Sequence, residues 1–360
     1  MSSAPSHDRI AEKIERIANL PTLSPIVARM LDEVRKPEAT AGTLAPIISG
    51  DIAMTARVLR VANSALFGMR RNITTVHEAV VVLGMRTIRA MVLSLTVFDI
   101  FPLDRVSYNF DRKKFWYHCI AAGIFAKRIA GREGLSREAQ EEAFCVGLLH
   151  DLGKVIMEEY LHRDFHIALT YARDNGLDFF TAERSLLGYT HCDVAQWLTR
   201  GWALPEAIRL PLVYHHEPAA YRDAATRSHN ASADDCRALH ADIRTFSPRT
   251  SGPMQKKSDP ADRCPAPGNG EGTYSVETEG RDNAPSAEVQ THERMIALCH
   301  VADWASYRAG FTTQRDDTPP RLHHALSLSR TPLDSYDTFI DTIGDHIQHE
   351  CTAYVGILTA

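Results

Sequence analysis

The stretch Cys145-Val146-Gly147-Leu148-Leu149-His150-Asp151-Leu152-Gly153-Lys154 constrains the fold more than any other part of the chain. An adjacent histidine and aspartate close an apolar helical run (Ala143, Val146, Leu148, Leu149), and Gly153 and Lys154 follow directly. A charged pair at the end of a buried helix costs free energy unless something compensates it. One compensation is a core histidine donating a hydrogen bond to the aspartate. Another is a divalent metal, because imidazole nitrogen and carboxylate oxygen are both good ligands for first-row ions. The dipeptide by itself does not choose between them.

Further polar residues share this predicament. His118 lies in Phe-Trp-Tyr-His-Cys-Ile-Ala-Ala-Gly, His191 in Leu-Gly-Tyr-Thr-His-Cys-Asp-Val, His215 and His216 in Val-Tyr-His-His-Glu-Pro, and Asp303 in Leu-Cys-His-Val-Ala-Asp-Trp-Ala. Each sits in an apolar helical pattern where a polar group needs a partner. Taken singly, His118 reads as a packed or surface histidine, His191 as a helix-start residue, and His215-His216 as a solvated helix end. Asp303 is the hardest to leave alone, since an unpaired buried carboxylate is costly.

The periodicity predicts an all-α chain. Ile10, Ile14 and Ile17 recur at helical spacing. Ser24 with Pro25 starts a helix carrying Val27, Met30, Leu31 and Val34. Thr40 or Thr43 opens a third, Asp51 caps a fourth, Thr75 a fifth, and Thr87 to Phe98 reads as a sixth. Phe115 to Ala130 presents His118 near its start. Ser136 caps the helix that delivers His150-Asp151, and the apolar run Val155 to Leu161 places that pair at a break between two helices. Gly176 closes one later helix, Thr181 opens the next, and Pro205 starts one ending at His215-His216. Leu322–Leu328 and Tyr336–Val355 are amphipathic packing helices.

Residues 219–291 change character: Asp, Ser, Gly, Pro, Arg and Asn dominate, and the tract from Cys264 to Gly272 resembles disordered sequence. An insertion of loose loop is the expectation, since the apolar helix around Asp303 is needed after it. His229, Cys236, His240 and Cys264 inside it match no closed zinc spacing.

Charge and composition narrow the partners. The net charge of −5 gives no general attraction to nucleic acid or to an anionic membrane. Arg57, Arg60, Arg70, Arg71, Arg86 and Arg89 could face phosphates in a helix-turn-helix, but they form no continuous basic face and read better as a solvated or partner-docking surface. No apolar run reaches the roughly 18 residues of a membrane span. The first residues show neither a basic start nor an apolar core of a secretory signal. The seven cysteines lack a C-x-x-C spacing, and Cys119, Cys145 and Cys299 read as small buried thiols. A cytoplasmic location is expected, with no membrane partner and no nucleic acid.

In order, His118, His150-Asp151, His191, His215-His216 and Asp303 resemble the ligand series of the HD superfamily of metal-dependent phosphohydrolases. A second resemblance is longer. Leu20-Pro21-x-Leu23-x-x-x-Val27, then Ile47-Ile48-Ser49-x-Asp51-x-x-Met54-Thr55-Ala56-Arg57-Val58-Leu59-Arg60-x-Ala62-Asn63-Ser64-Ala65-x-Phe67-Gly68, then Ile73 through Ala79-Val80 to Leu83-Gly84 look like the HDOD domain, a helical bacterial signalling module related to the HD enzymes. The likeness runs from about residue 18 to 217 and resumes near 292. It implies an N-terminal leader helix over 1–17, an N-terminal helical lobe over 18–107, a C-terminal lobe over 108–218 plus 292–360, and an insertion over 219–291.

The resemblance further implies metal ligands at His118, His150, Asp151, His191, His215, His216 and Asp303, holding one or two ions of iron, manganese, zinc or nickel. In an active enzyme the metals would lower the pKa of a bridging water, Asp151 would serve the chemistry, and Lys154 would neutralise charge developing on phosphate. Two departures separate the chain from the cyclic-di-GMP phosphodiesterases of the HD-GYP type. No Asp-Gly-x-Gly-Tyr-Pro follows Glu217, and Lys114 stands where trinuclear members carry a glutamate ligand. The favoured expectation is a signal-transduction protein working through signalling-protein partners. The runner-up is a phosphohydrolase acting on a nucleotide or cyclic dinucleotide.

Overall fold

A computed structural model describes residues 22–64, 67–103, 110–202, 204–230, 286–313, 319 and 333–359. The expected helices over 1–17 and over Leu322–Leu328 lie outside the described residues, as does the stretch 231–285.

Fifteen α-helices cover most of what is described: α1 Pro25–Val34, α2 Ala41–Ser49, α3 Ile52–Ala62, α4 Val76–Leu83, α5 Met85–Ile100, α6 Arg112–Arg132, α7 Arg137–Leu149, α8 Leu152–Tyr160, α9 His162–Asn175, α10 Phe179–Leu186, α11 His191–Gly201, α12 Glu206–Tyr214, α13 Pro218–Asn230, α14 Ala287–Arg308 and α15 Leu333–Thr359. The caps expected from sequence are in place. Ser24, Thr40, Asp51, Thr75 and Ser136 each accept a backbone N–H of the first turn, which satisfies a donor that has no partner within the helix.

Four expectations need correcting. Asp178, not Thr181, caps α10, accepting both the Thr181 N–H and its hydroxyl. α5 begins at Met85 rather than Thr87, because Gly84, at φ 89°, turns the chain straight from α4 into α5. The C-terminal helix runs over Leu333–Thr359, longer at both ends than Tyr336–Val355. The edges of the expected loose insertion are also helical. Tyr221 of α13 packs with Leu210 of α12 and Ile296 of α14, Ala225 and Val289 pack against them, and Arg222 pairs with Glu293 at 2.6 Å, so these residues gain tertiary contacts that their composition concealed.

One continuous apolar core runs from α1 to α15. At its centre α6 and α7 cross with almost no side chain between them. A Cβ built on Gly147 would lie 2.6 Å from the Ala122 carbonyl oxygen and 2.7 Å from Gly123 Cα, and one built on Gly123 would lie 2.8 Å from the Phe144 carbonyl oxygen. This crossing fixes how far His118 on α6 stands from His150 at the end of α7. Gly147→Ala gains about 1 kcal/mol of helix propensity, but the backbone has nowhere to move without separating the pair. A net loss of about 1–3 kcal/mol is expected, the usual cost of overpacking a filled core, and urea unfolding measures it.

The arginines of the N-terminal half mostly face carboxylates. Arg57 pairs with Asp99, Arg71 with Glu78 at 3.0 Å, and Arg86 and Arg89 with Glu142 at 3.6 and 3.2 Å. Among the described residues no single helix is long and apolar enough to cross a membrane.

Candidate metal centre

Five parts of the chain converge on one buried point. α6 brings His118. The junction between α7 and α8 brings His150 and Asp151. The first residue of α11 is His191, the residue closing α12 is His215, and α14 brings Asp303. All six are fully buried. The break expected at His150-Asp151 is present and has a purpose. Asp151 occupies the N-cap position of α8, yet its side chain makes no cap bond, so both carboxylate oxygens are left to face the histidines.

Asp151 lies between two groups of imidazoles. Its Oδ2 is 3.3 Å from His150 Nε2 and 3.6 Å from His118 Nε2, and its Oδ1 is 3.3 Å from His191 Nε2 and 3.7 Å from His215 Nε2. Asp303 Oδ1 approaches the first group, 3.1 Å from His118 Nε2 and 3.3 Å from His150 Nε2. The two histidine nitrogens are themselves 3.3 Å apart.

The outward ring nitrogens explain why these are not ordinary hydrogen bonds. His118 Nδ1 donates to the Phe311 carbonyl at 2.9 Å, with Ser306 Oγ at the same distance. His150 Nδ1 donates to the Gly147 carbonyl at 2.7 Å, His191 Nδ1 to Glu183 Oε2 at 2.6 Å, and His215 Nδ1 to the Leu212 carbonyl at 3.1 Å. With the proton on Nδ1, a neutral imidazole presents a lone pair at Nε2. Four lone pairs and two carboxylates then point at one another, and Asp151 Oδ1, both oxygens of Asp303 and the Nε2 atoms of His191, His215 and His216 have no hydrogen-bond partner. Acceptor facing acceptor is repulsive unless a proton or a cation lies between.

The charge balance says the same. With neutral imidazoles, Asp151, Asp303 and Glu183 are negative, and Lys154, whose Nζ is 2.7 Å from Asp151 Oδ2, supplies a single positive charge. Without a cation, protons must fill the gap. Burial opposes charge on His150, but Asp151 and then Asp303 outweigh it and raise the imidazole to about 10. Burial likewise opposes charge on Asp151, which His150 and Lys154 nevertheless hold well below the usual carboxylate range. These residues fit a divalent metal: oriented imidazoles, carboxylates to neutralise the ion, and unsatisfied donor atoms aimed inward. Among the described residues, His118, His150 and Asp303 offer donor atoms within 4.8 Å of one another, as do His150, Asp151 and His215, and as do His191, Cys192, His215 and His216.

The structure brings His118, His150, Asp151, His191, His215 and Asp303, six of the residues singled out in the sequence, to one buried point. His216 flanks the second histidine pair, with one donor atom within 4.8 Å of those of His191, Cys192 and His215. Its ring packs on Phe180 at 4.6 Å and on His191 at 5.0 Å, and burial with the neighbouring His215 and His191 pushes it well below the ordinary histidine value. Lys154 is in the centre, bound to Asp151. Lys114 is exposed at the start of α6 and takes no part.

Glu183 is the residue that the ligand series missed. It is fully buried on α10, and it holds both the backbone N–H and Nδ1 of His191. A carboxylate eight residues before a ligand histidine was the available signal. Glu183→Gln removes the negative charge that would make His191 a stronger ligand for a metal. The metal affinity of the second histidine pair is expected to fall roughly 10-fold to 100-fold with the fold intact, which competition dialysis against a chelator reads directly.

Comparison with known proteins agrees with this architecture. Residues 20–218 match the HDOD domain family. The chain is 26% identical over 208 residues to an uncharacterised protein of Treponema pallidum (strain Nichols), an alignment covering 58% of this chain and 39% of that protein. It thus spans about two fifths of that relative's length. The crystal structure of an HDOD domain protein of unknown function from Geobacter sulfurreducens superposes with a TM-score of 0.62 at 21% identity, over 98% of this chain and 97% of that one. A candidate signal transduction protein from Marinobacter aquaeolei VT8 superposes with a TM-score of 0.59 at 16% identity, over 98% of this chain and 65% of that one. At these identities the two structures speak for the fold. The family match spans more than half of the chain, and the chain belongs to the HDOD domain family.

Proposed function

We propose that this chain is a signal-transduction module that works through protein partners, with the His/Asp centre holding one or two divalent metals as a structural tie. One observation carries the reading: every converging donor is fully buried, and Lys154, the residue best suited to meet a substrate, is 4% exposed and bonded to Asp151. Structural metal sites are closed, whereas catalytic sites keep a position open to water and substrate.

The centre would act as a rivet. α6, α7, α8, α11, α12 and α14 each contribute a ligand or Lys154, and α1 to α5 contribute none. That division supports two lobes, over 18–107 and over 108–218 with 292–360, the second locked by metal and the first left for partners. Residues 231–285 enter between α13 and α14, on the chain segment that must return to deliver Asp303.

A second reading, a metal-dependent phosphohydrolase, is favoured by the completeness of the donor set. In it the metal would supply an activated water, Asp151 would hold that metal, and Lys154 would leave Asp151 to bind a phosphoryl oxygen. Turnover decides between the readings. The metal-loaded full chain, offered bis(p-nitrophenyl) phosphate or a cyclic dinucleotide with manganese or iron, is expected to hydrolyse neither faster than its Asp151→Asn variant. Hydrolysis that depends on Asp151 would overturn the regulatory reading in favour of the enzymatic one.

A further inference from the structure

The two histidine groups around Asp151 differ chemically, and the difference is a thiol. Beside His118 and His150 the additional donor is a carboxylate, Asp303. Beside His191 and His215 it is Cys192, the second residue of α11, buried at 3% exposure. Its Sγ lies 3.8 Å from the Nδ1 edge of the His215 ring, whose other nitrogen, Nε2, is the one without a partner. One donor atom each from His191, Cys192, His215 and His216 falls within 4.8 Å of the others, and the Nε2 atoms of all three histidines are buried without a hydrogen-bond partner. The other buried thiols close to the centre, Cys119 and Cys299, belong to no such group among the described residues.

We propose that Cys192 is a metal ligand, so that the pocket formed with His191, His215 and His216 is a nitrogen-and-sulfur site for zinc or another borderline-soft ion. The pocket of His118, His150 and Asp303 is by contrast a nitrogen-and-oxygen site that accepts manganese or ferrous iron. The inference rests on the metal reading above and assigns a different ion preference to each half of the centre. The chemistry follows from ligand softness. Thiolate favours zinc, cobalt and copper(I) over manganese and magnesium, and carboxylate does the reverse. Three imidazoles and a thiolate make a closed four-ligand set of the kind that structural zinc adopts. On binding, the thiol releases its proton to solvent and the sulfur lone pair forms the metal bond.

Cobalt(II) tests the assignment without any enzymatic readout. The metal-free full chain is titrated with cobalt(II) while the visible and near-ultraviolet absorption is followed. The Cys192→Ser variant is titrated beside it, and its thermal midpoint checks that it is folded. A thiolate ligand gives an intense sulfur-to-cobalt charge-transfer band in the near-ultraviolet, whereas nitrogen and oxygen ligands give only the weak visible bands. The parent is expected to show the charge-transfer band. Cys192→Ser is expected to lack it, keep the weak visible bands, and bind zinc about tenfold or more less tightly with manganese binding unchanged. Visible cobalt bands without charge transfer in the parent would overturn the assignment of Cys192 while leaving the metal centre standing. A charge-transfer band that persists in folded Cys192→Ser would move the ligand to another thiol and overturn it equally. No cobalt bands of either kind would remove both this inference and the metal reading on which it rests.

Discussion

Asp151→Asn is expected to empty the centre of metal and to unfold the protein at markedly lower denaturant. The substitution keeps the shape of the side chain but removes the charge shared by both histidine groups, whose Nε2 atoms lie 3.3 to 3.7 Å from the two carboxylate oxygens. An amide presents a single oxygen, so one group would face an N–H donor where a ligand is needed. The substitution also strands Lys154, 4% exposed and bonded to Asp151. Leaving a buried charge without its partner costs about 3–5 kcal/mol. The two effects separate in the double variant Asp151→Asn/Lys154→Met. Removing the stranded ammonium should recover much of the stability and none of the metal. Elemental analysis and urea unfolding of the parent and both variants measure this. Recovery of metal in the double variant would mean that Asp151 serves only to neutralise Lys154.

The second large effect is expected at Gly153. A Cβ there would lie 1.9 Å from the His191 carbonyl oxygen and 2.6 Å from its carbonyl carbon. Both are backbone atoms, so no side chain can turn away. α8 and α11 would have to part by about 1.5 Å to restore ordinary contact. That movement carries His191 away from Asp151, and Gly153→Ala is expected to lose about 3 kcal/mol or more of stability, beyond the ordinary range for overpacking. It should also lose at least roughly tenfold in affinity for the metal beside His191. A Gly153→Ala chain with parental stability and metal affinity would show that α8 and α11 are not locked together as described.

What could be read from the sequence divides along a physical line. Helix starts were legible because a capping side chain acts within three residues, as at Ser24, Asp51, Thr75 and Ser136. That the histidines and aspartates would meet was legible because such residues inside apolar helices are costly without partners, and their order resembled a known series. Contacts between distant segments left weaker traces. Glu183 is followed by exposed Arg184, Ser185 and Leu186, and its burial goes with its bonds to His191, eight residues on, a spacing that marks it only once His191 is already singled out. Cys192 looks like one more small buried thiol until His215 is brought to 3.8 Å. The helical edges of the stretch 219–291 depend on Tyr221 meeting Leu210 and Ile296, the latter more than 70 residues away, which composition alone does not show.

The measurement that tests the account most directly is the metal content of the full chain, purified after expression with iron, manganese and zinc supplied, beside a His150→Ala/Asp151→Ala variant. The orphaned lone pairs and the shared carboxylate need protons or a cation between them, and on the metal reading the parent is expected to carry about one or two metals per chain and the variant none. A parent as empty as the variant would contradict the account, and protons on the buried imidazoles would then be what balances Asp151 and Asp303.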